Sequence, residues 1–178
     1  CGFGPWLPTA TAADCPLAAA PAAPFVVDGF YADRQGSVID TARRAARDQA
    51  VAPYEAFVQR VQGQADAFAR RGDQAEAGCA LDNLAGWARA DVLAGTLASP
   101  QADYERNWYL AALALAYLKL APVADPGRRA VIEPWLARMA RSAESALDRG
   151  AIPSNNLSYW AALALATAGQ ATGSPEQI

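Results

Sequence analysis

Apolar residues recur every three to four positions along most of the chain from Ser37 onward. This spacing places them on one face of an α-helix, which turns once in about 3.6 residues. The abundance of alanine and the scarcity of β-branched runs also favour helix. The pattern predicts six helices: one that begins near Ser37, one from Pro53 to Arg71, one from Gln74 to about Leu97, and three that carry Trp108, Trp135 and Trp160.

Two of these helices have a clear start signal. Ser99 precedes Pro100, and Asp125 precedes Pro126. A serine or aspartate side chain accepts from the free N–H groups of the first turn, and proline fits the first helical position because no hydrogen bond is lost there. Both helices are therefore expected to begin at these prolines.

The predicted helices are of two kinds. Those with Trp108 and Trp160 are apolar nearly all round, which predicts burial on several sides, whereas those with Phe57 and Trp135 carry polar residues on one face. Alternation of the two kinds predicts antiparallel helical hairpins. Residues 1 to about 24 contain closely spaced prolines, which predict an extended arm.

Asn155 and Asn156 open the last helix. One asparagine would cap it, and the second is left to face outward. With the positive end of the helix behind it, that free amide is well placed to hold a carboxylate. The alternative is that both residues only terminate a loop.

Composition restricts the classes of function. A net charge of -3 and an isoelectric point near 4.9 exclude a broad basic surface for nucleic acid, but a few arginines in a cleft still suffice for an acidic sugar. No apolar run approaches the ~20 residues that span a membrane. The chain has no histidine and its acidic residues are scattered, so neither a metal site nor another cofactor is predicted.

Residues 155–160 read Asn-Asn-Leu-Ser-Tyr-Trp and resemble the Asn-Asn-His-Ser-Tyr-Trp signature of the alginate lyases of polysaccharide lyase family five. Three further segments are similar to motifs of that family and follow in the same order, at 79–91, 106–110 and 132–139. The resemblance covers most of the chain from about Phe25. It implies an all-α fold in which antiparallel hairpins form part of an α/α toroid.

The resemblance also implies a domain organisation. Residues 1–36 correspond to the arm and a loop over the cleft, and residues 37–178 to the toroid domain. The family's barrel of six hairpins needs roughly twice this length, so an incomplete barrel with open apolar helix faces is expected. The chain would then be a monomer, or would be completed by a missing segment.

These lyases break uronate polymers by β-elimination, which needs neutralisation of the carboxylate, a base for the C5 proton and an acid for the departing O4. In the family the signature Asn helps with the first task, and the His and a downstream Tyr share the others. Asn156 matches that Asn, whereas Leu157 stands at the His position and cannot transfer a proton. The family Tyr would lie beyond residue 178. Tyr159 is expected to be a packed aromatic.

Four further residues match substrate-binding positions of the family. Tyr31 falls in the cleft loop, and Asn155 adjoins Asn156, the residue expected to help neutralise the carboxylate. Arg106 could pair with a carboxylate, and Trp108 could stack on a sugar. The alternatives are a core aromatic for Tyr31, a surface ion pair for Arg106 and a core tryptophan for Trp108.

Cys15 and Cys79 match cysteines that are bridged in the family, so the resemblance implies a disulfide between them. A disulfide indicates an oxidising compartment, here the bacterial periplasm or the exterior. Three interpretations of Cys1 stay open: a lipid anchor, a free thiol, and an accident of where the sequence begins.

Three functions remain. The first is a lyase that cleaves mannuronate-rich alginate or related polyuronates, with weak or no turnover because of Leu157. The second is a non-catalytic binder of anionic polysaccharide. The third is a helical piece that folds only with a missing half. Turnover separates the first from the second, and retained affinity separates the second from the third.

Overall fold

The computed structural model describes residues 15–22, 24–150 and 152–174. Regular structure in these ranges is helical, apart from a single antiparallel bridge between Tyr31 and Ile39, so the prediction of an all-α chain is confirmed. The helices are α1 (Thr41–Arg71), α2 (Gln74–Arg89), α3 (Pro100–Leu120), α4 (Pro126–Asp148) and α5 (Asn156–Thr172), with a short 3₁₀ turn at Ala121–Val123.

The helices form two layers. Helices α1, α3 and α5 pack side by side in one layer, and α2 packs against α4 in the other. Arg47 pairs with Glu105 near the starts of α1 and α3, and Asp66 pairs with Lys119 near their ends, so these two helices are parallel. Successive helices therefore run in opposite directions, as in stacked antiparallel hairpins.

Helix α1 differs from its prediction. The expected break at Pro53 is wrong, because a single helix of 31 residues runs through this position. Pro53 lies on the exposed side, where the lost hydrogen bond faces water, while Val51 and Tyr54 are buried on the other side and hold the helix together. Asp40 caps this helix through its side chain, three residues after the predicted start at Ser37.

Helix α2 ends at Arg89, eight residues before Leu97, so its predicted length is also wrong. Asp91 and Leu93 adopt positive φ angles of 52° and 63°, which no helix can continue through. The indole of Trp135 donates to the carbonyl oxygen of Val92 at 2.7 Å and fixes this turn from α4. The predicted caps Ser99 and Asp125 are correct, and Asn155 is the one of the two asparagines that caps α5. Asp73, which the sequence analysis did not identify as a cap, accepts a backbone N–H at the start of α2.

The core lies between the two layers. Phe57 of α1 and Trp87 of α2 stack with ring centroids 3.6 Å apart, and both are almost fully buried. On the outside of this pair, the extended segment 15–22 crosses α2. Its Ala18 donates to Asn83 at 2.8 Å and accepts from the indole of Trp87 at 3.0 Å. These hydrogen bonds fix the arm to the first hairpin.

The structure joins Cys15 to Cys79 in a disulfide, with Cα atoms 5.4 Å apart and a sequence separation of 64. This is the pairing that the family resemblance implied. The bond ties the arm to the beginning of α2. Cys1 lies outside the described residues.

Candidate functional site

Helices α1, α3 and α5 begin at the same end of the molecule: α1 and α3 are parallel, and Tyr104 near the start of α3 packs on the same apolar cluster as Leu157 at the start of α5. The N-terminus of a helix carries a partial positive charge. The segments that hold Tyr31, Arg106 and Asn155 all lie at or near these three helix starts. This end of the layer is therefore the part of the molecule at which a negatively charged ligand is most favoured.

The two asparagines at the start of α5 have different surroundings. The side-chain oxygen of Asn155 accepts the backbone N–H of Leu157 at 2.9 Å, so Asn155 is the cap. Asn156 is exposed, and its side chain makes no hydrogen bond within the described part of the chain. Its amide is therefore free to bind a ligand, as the sequence predicts for one of the two.

Leu157 is half-buried and packs against a small apolar cluster. The cluster consists of Ala146 at the end of α4, Ile152 in the connection and Ala161 in α5. Leu157, which the resemblance places at the family's His position, thus packs between α4 and α5, and it offers no atom that could accept or donate a proton.

Tyr159 is 79% exposed, so the prediction of a packed aromatic is wrong. Trp160 and Leu163 are also more than two-fifths exposed, and α5 is therefore not buried on all sides as its apolar sequence suggested. A helix surrounded by neighbours on only part of its circumference leaves such residues in water. The expectation of open apolar helix faces agrees with this arrangement.

Arg106 is only 1% exposed, so its interpretation as a surface ion pair is wrong. Its guanidinium forms a buried ion pair with Asp103 and donates from Nη1 to the carbonyl oxygen of Gly95 at 3.0 Å. Burial lowers the pKa of Arg106 and raises that of Asp103. A polymer at the surface has no access to this side chain, and Arg106 holds the start of α3 against the preceding loop.

Tyr31 is 39% exposed, which excludes its interpretation as a core aromatic. Its ring packs on Phe30 with centroids 4.6 Å apart, and its carbonyl oxygen accepts from Arg43 at 3.2 Å. Asp33 closes the loop by accepting from the hydroxyl and the backbone of Ser37. These hydrogen bonds, the hydroxyl first, lower the pKa of Asp33. Tyr31 is thus presented at the surface by an ordered loop.

Trp108 lies in the third turn of α3 and is partly exposed. This burial is intermediate between a core tryptophan and an open stacking surface. The prediction that Trp108 stacks on a sugar ring stays a prediction.

A groove of about 580 Å³ lies between the segment before Tyr31 and the first half of α1. Val27, Asp28 and Gly29 line one side, and Arg43 and Arg47 line the other. The sequence analysis missed this groove. Two arginines four residues apart share a helix face, and that spacing is the signal that could have found it.

The sequence profile of the alginate lyase family matches residues 30–178. The chain belongs to the alginate lyase family. It is 37% identical over 174 residues to a polysaccharide lyase of Stenotrophomonas maltophilia, covering 93% of this chain and 53% of that protein. It is 32% identical over 112 residues to an alginate lyase of Cobetia marina, covering 59% of this chain and 30% of that protein. The chain thus spans about half the length of these relatives, or less.

The fold agrees with this membership of the alginate lyase family. Alginate lyase A1-III from Sphingomonas species A1 superimposes with a TM-score of 0.70 at 23% identity, over 93% of this chain and 47% of that structure. The likeness confirms the prediction of helical hairpins of the α/α toroid type.

Within the described ranges, no group of three or more Cys, Asp or Glu side chains is placed to hold a metal ion. In the same ranges, no helix is long and apolar enough to cross a membrane.

Proposed function

We propose that this chain carries the carboxylate-binding part of a polyuronate lyase site and that it recognises mannuronate-rich alginate or a related polyuronate. The observation that carries the proposal is the free amide of Asn156 at the start of α5, beside the capped N–H groups of that helix. An amide at a positive helix end donates to a carboxylate without the desolvation penalty of a buried cation.

Two further features support an acidic sugar as the ligand. Arg43 lines the groove and is exposed. Its guanidinium pairs with Asp40 at 3.5 Å and donates to the carbonyl oxygen of Tyr31, which leaves its other N–H groups open to a carboxylate. The exposed ring of Tyr31 offers an aromatic face of the kind that packs on sugars. Successive uronate residues each carry one carboxylate, which matches cationic and amide donors distributed along one end of the layer.

Elimination requires that a base removes the C5 proton, that the C4–O4 bond breaks as a C4=C5 double bond forms, and that O4 takes up a proton. Leu157 can do none of this, and it packs into an apolar cluster instead. General acid–base catalysis typically contributes about 10²- to 10⁴-fold to the rate. We therefore expect binding to persist while turnover by this chain is reduced by about that factor.

A second candidate function is elimination in which Tyr159 transfers the protons. Tyr159 follows Asn156 by three positions on α5, which places the two on neighbouring parts of the same helix face. Its 79% exposure leaves the hydroxyl accessible to a sugar held by Asn156. This candidate predicts residual activity that Tyr159→Phe abolishes.

The disulfide between Cys15 and Cys79 supports a periplasmic or secreted location, because such bonds persist in oxidising compartments. A lipid anchor at Cys1 stays a prediction, since that residue lies outside the described part.

The experiment has two arms. Binding of oligomannuronate is measured by calorimetry for the unmodified chain and for Asn156→Ala, with neutral manno-oligosaccharide as the control ligand. Formation of unsaturated uronate ends is followed by ultraviolet absorbance for the unmodified chain, Leu157→His and Tyr159→Phe. Binding that is specific for the acidic sugar and weakened by Asn156→Ala supports the proposal. Equal affinity for both sugars overturns it.

The second arm separates lyase from binder. If only Leu157→His forms product, the leucine at this position is what prevents catalysis in a site that is otherwise able to carry it out. Product from the unmodified chain that disappears in Tyr159→Phe would favour the second candidate. No product from any variant, together with specific binding, would leave the chain as a binder of anionic polysaccharide.

A further inference from the structure

A second cavity, of about 120 Å³, lies between the beginning of α3 and the end of α4. It is distinct from the groove beside Tyr31, and the two share no lining residue. Its lining combines three arginines and one acidic residue with Thr96 and Leu97 of the preceding loop and two serines; the charged and serine residues are Arg106, Arg141, Arg149, Asp103, Ser142 and Ser145.

Arg106 brings an unsatisfied donor to this cavity. Its Nη1 and Nη2 groups have partners in Gly95 and Asp103, but its Nε is buried and has no hydrogen-bond partner among the described residues. A buried donor on a charged group is costly to leave unpaired. The side chain as a whole is 99% buried, so bulk water does not replace the missing partner.

The charges around the cavity are also unbalanced. Arg149 donates to the hydroxyl of Ser145. Burial lowers the pKa of Arg106, and the positive charge of the nearby Arg149 also acts to lower it. Arg141 is exposed and forms no hydrogen bond or ion pair within the described ranges. Three guanidinium groups thus face a single carboxylate, that of Asp103. Like charges disfavour one another, and a bound anion would relieve the repulsion.

We propose that this cavity binds a small oxyanion, with Arg141 and Arg149 as its outer donors and Arg106 as its buried one. Guanidinium groups present paired N–H donors that match the oxygens of phosphate, sulfate and carboxylate. The volume suits one such group and excludes a polymer chain. The site is independent of Asn156 and of the proposed function at the start of α5.

The test titrates the oxidised chain with inorganic phosphate or sulfate at constant ionic strength, with chloride as the balancing salt. The ¹H–¹⁵N signal of the Arg106 Nε group is followed by NMR, and the thermal midpoint is recorded alongside. We expect a saturable change in that signal and a rise in midpoint with oxyanion concentration. A shift that does not saturate, or that chloride reproduces, overturns the proposal.

Variants locate the site. Arg141→Gln combined with Arg149→Gln should weaken oxyanion binding by about tenfold or more, because two of three charged donors are lost. The matched control is Arg70→Gln with Arg71→Gln, which removes two positive charges at the far end of α1. Equal weakening of oxyanion binding in both double variants would show a general effect of net charge and would overturn the proposal. If the first double variant does not fold, Arg141→Gln alone is used, since Arg141 is exposed.

Mannuronate monomer serves as the third probe and identifies the source of the oxyanion. Competition with phosphate at the Arg106 signal would assign the cavity to sugar carboxylates as well as to inorganic anions. Phosphate binding without such competition would restrict it to inorganic oxyanions. In either case Asn156→Ala should leave phosphate binding unchanged, which separates this site from the one proposed at α5.

Discussion

Arg47 of α1 donates two parallel hydrogen bonds to Glu105 of α3, from Nε to Oε1 and from Nη2 to Oε2, each 2.8 Å long. Glu105 is fully buried, and Gln101 donates to the same carboxylate at 2.8 Å. Bidentate pairs of this kind fix geometry as well as charge. The pair therefore holds α1 against α3 at the end of the layer where the candidate site lies.

Removal of the Arg47 side chain should show how much this ion pair contributes to the stability of the fold. Arg47→Ala leaves the Glu105 carboxylate buried without its cation, and we expect a loss of about 3–5 kcal/mol in the free energy of unfolding. Urea denaturation measures it. The control is Arg44→Ala, which breaks an exposed pair with Asp48 and should cost far less, because water screens that pair. Similar costs for both variants would contradict the prediction.

The two asparagines of α5 should separate stability from binding. Asn155→Ala removes the cap and should lower the free energy of unfolding by about 1 kcal/mol. Asn156→Ala removes a side chain without a hydrogen bond in the described structure, so it should leave stability nearly unchanged and weaken oligomannuronate binding. Denaturation and calorimetry on both variants check this. If Asn155→Ala weakened binding and Asn156→Ala lowered stability instead, Asn155 would be the residue that binds the carboxylate.

The disulfide should stabilise the chain through its unfolded state. A loop whose ends have a sequence separation of 64 corresponds to about 4 kcal/mol on the chain-entropy model. Reduction with dithiothreitol should lower the unfolding free energy by up to that amount. The variant with Cys15→Ser and Cys79→Ser serves as control, because its stability should not respond to the reductant. An equal response in both proteins would point to another cause.

Stability should fall at alkaline pH because burial raises the pKa of four tyrosines, Tyr54, Tyr104, Tyr109 and Tyr117, and most strongly that of the last two. Burial raises the pKa of Tyr109 and of Tyr117, and the neighbouring Glu105 and Glu133 carboxylates raise them further. Above the ordinary tyrosine value of about 10, the unfolded chain therefore loses protons that the folded chain keeps. The free energy of unfolding is then insensitive to these groups below that pH and decreases above it.

Urea denaturation between about pH 8 and pH 11 measures this decrease, with the tyrosinate absorbance recorded in parallel. Tyr117→Phe removes one of these tyrosines and should make the decrease shallower. An identical pH dependence in the variant would show that Tyr117 ionises normally in the folded state.

The sequence predicted those features that depend on local chemistry. Ser99, Asp125 and Asn155 were recognisable as caps because a short polar side chain can satisfy the first turn without help from distant residues. Pro53 misled for the same reason. Its local preference favours a helix start, but the burial of Tyr54 and its neighbours outweighs that preference, and burial depends on residues far away in the chain.

Exposure of individual side chains was the hardest feature to predict. Arg106 and Tyr159 lie in segments of similar apolar character, yet the first is buried and the second is open to water. The difference arises because α3 is surrounded by more neighbouring helices than α5. The spacing of apolar residues within either helix does not show how many neighbours that helix has. The groove with Arg43 was not predicted for a related reason. Its other side is formed by the non-helical segment at Val27, which is not part of the helix that carries Arg43.

The bond between Cys15 and Cys79 closes a covalent ring that contains the whole of α1. A protease that cuts once anywhere inside this ring leaves both pieces joined through sulfur. The nicked chain would migrate as intact on a non-reducing gel and separate into two fragments only after reduction. Cleavage after Cys79 releases its fragments under either condition, so a pair of gels distinguishes a cut between Cys15 and Cys79 from a cut further along the chain.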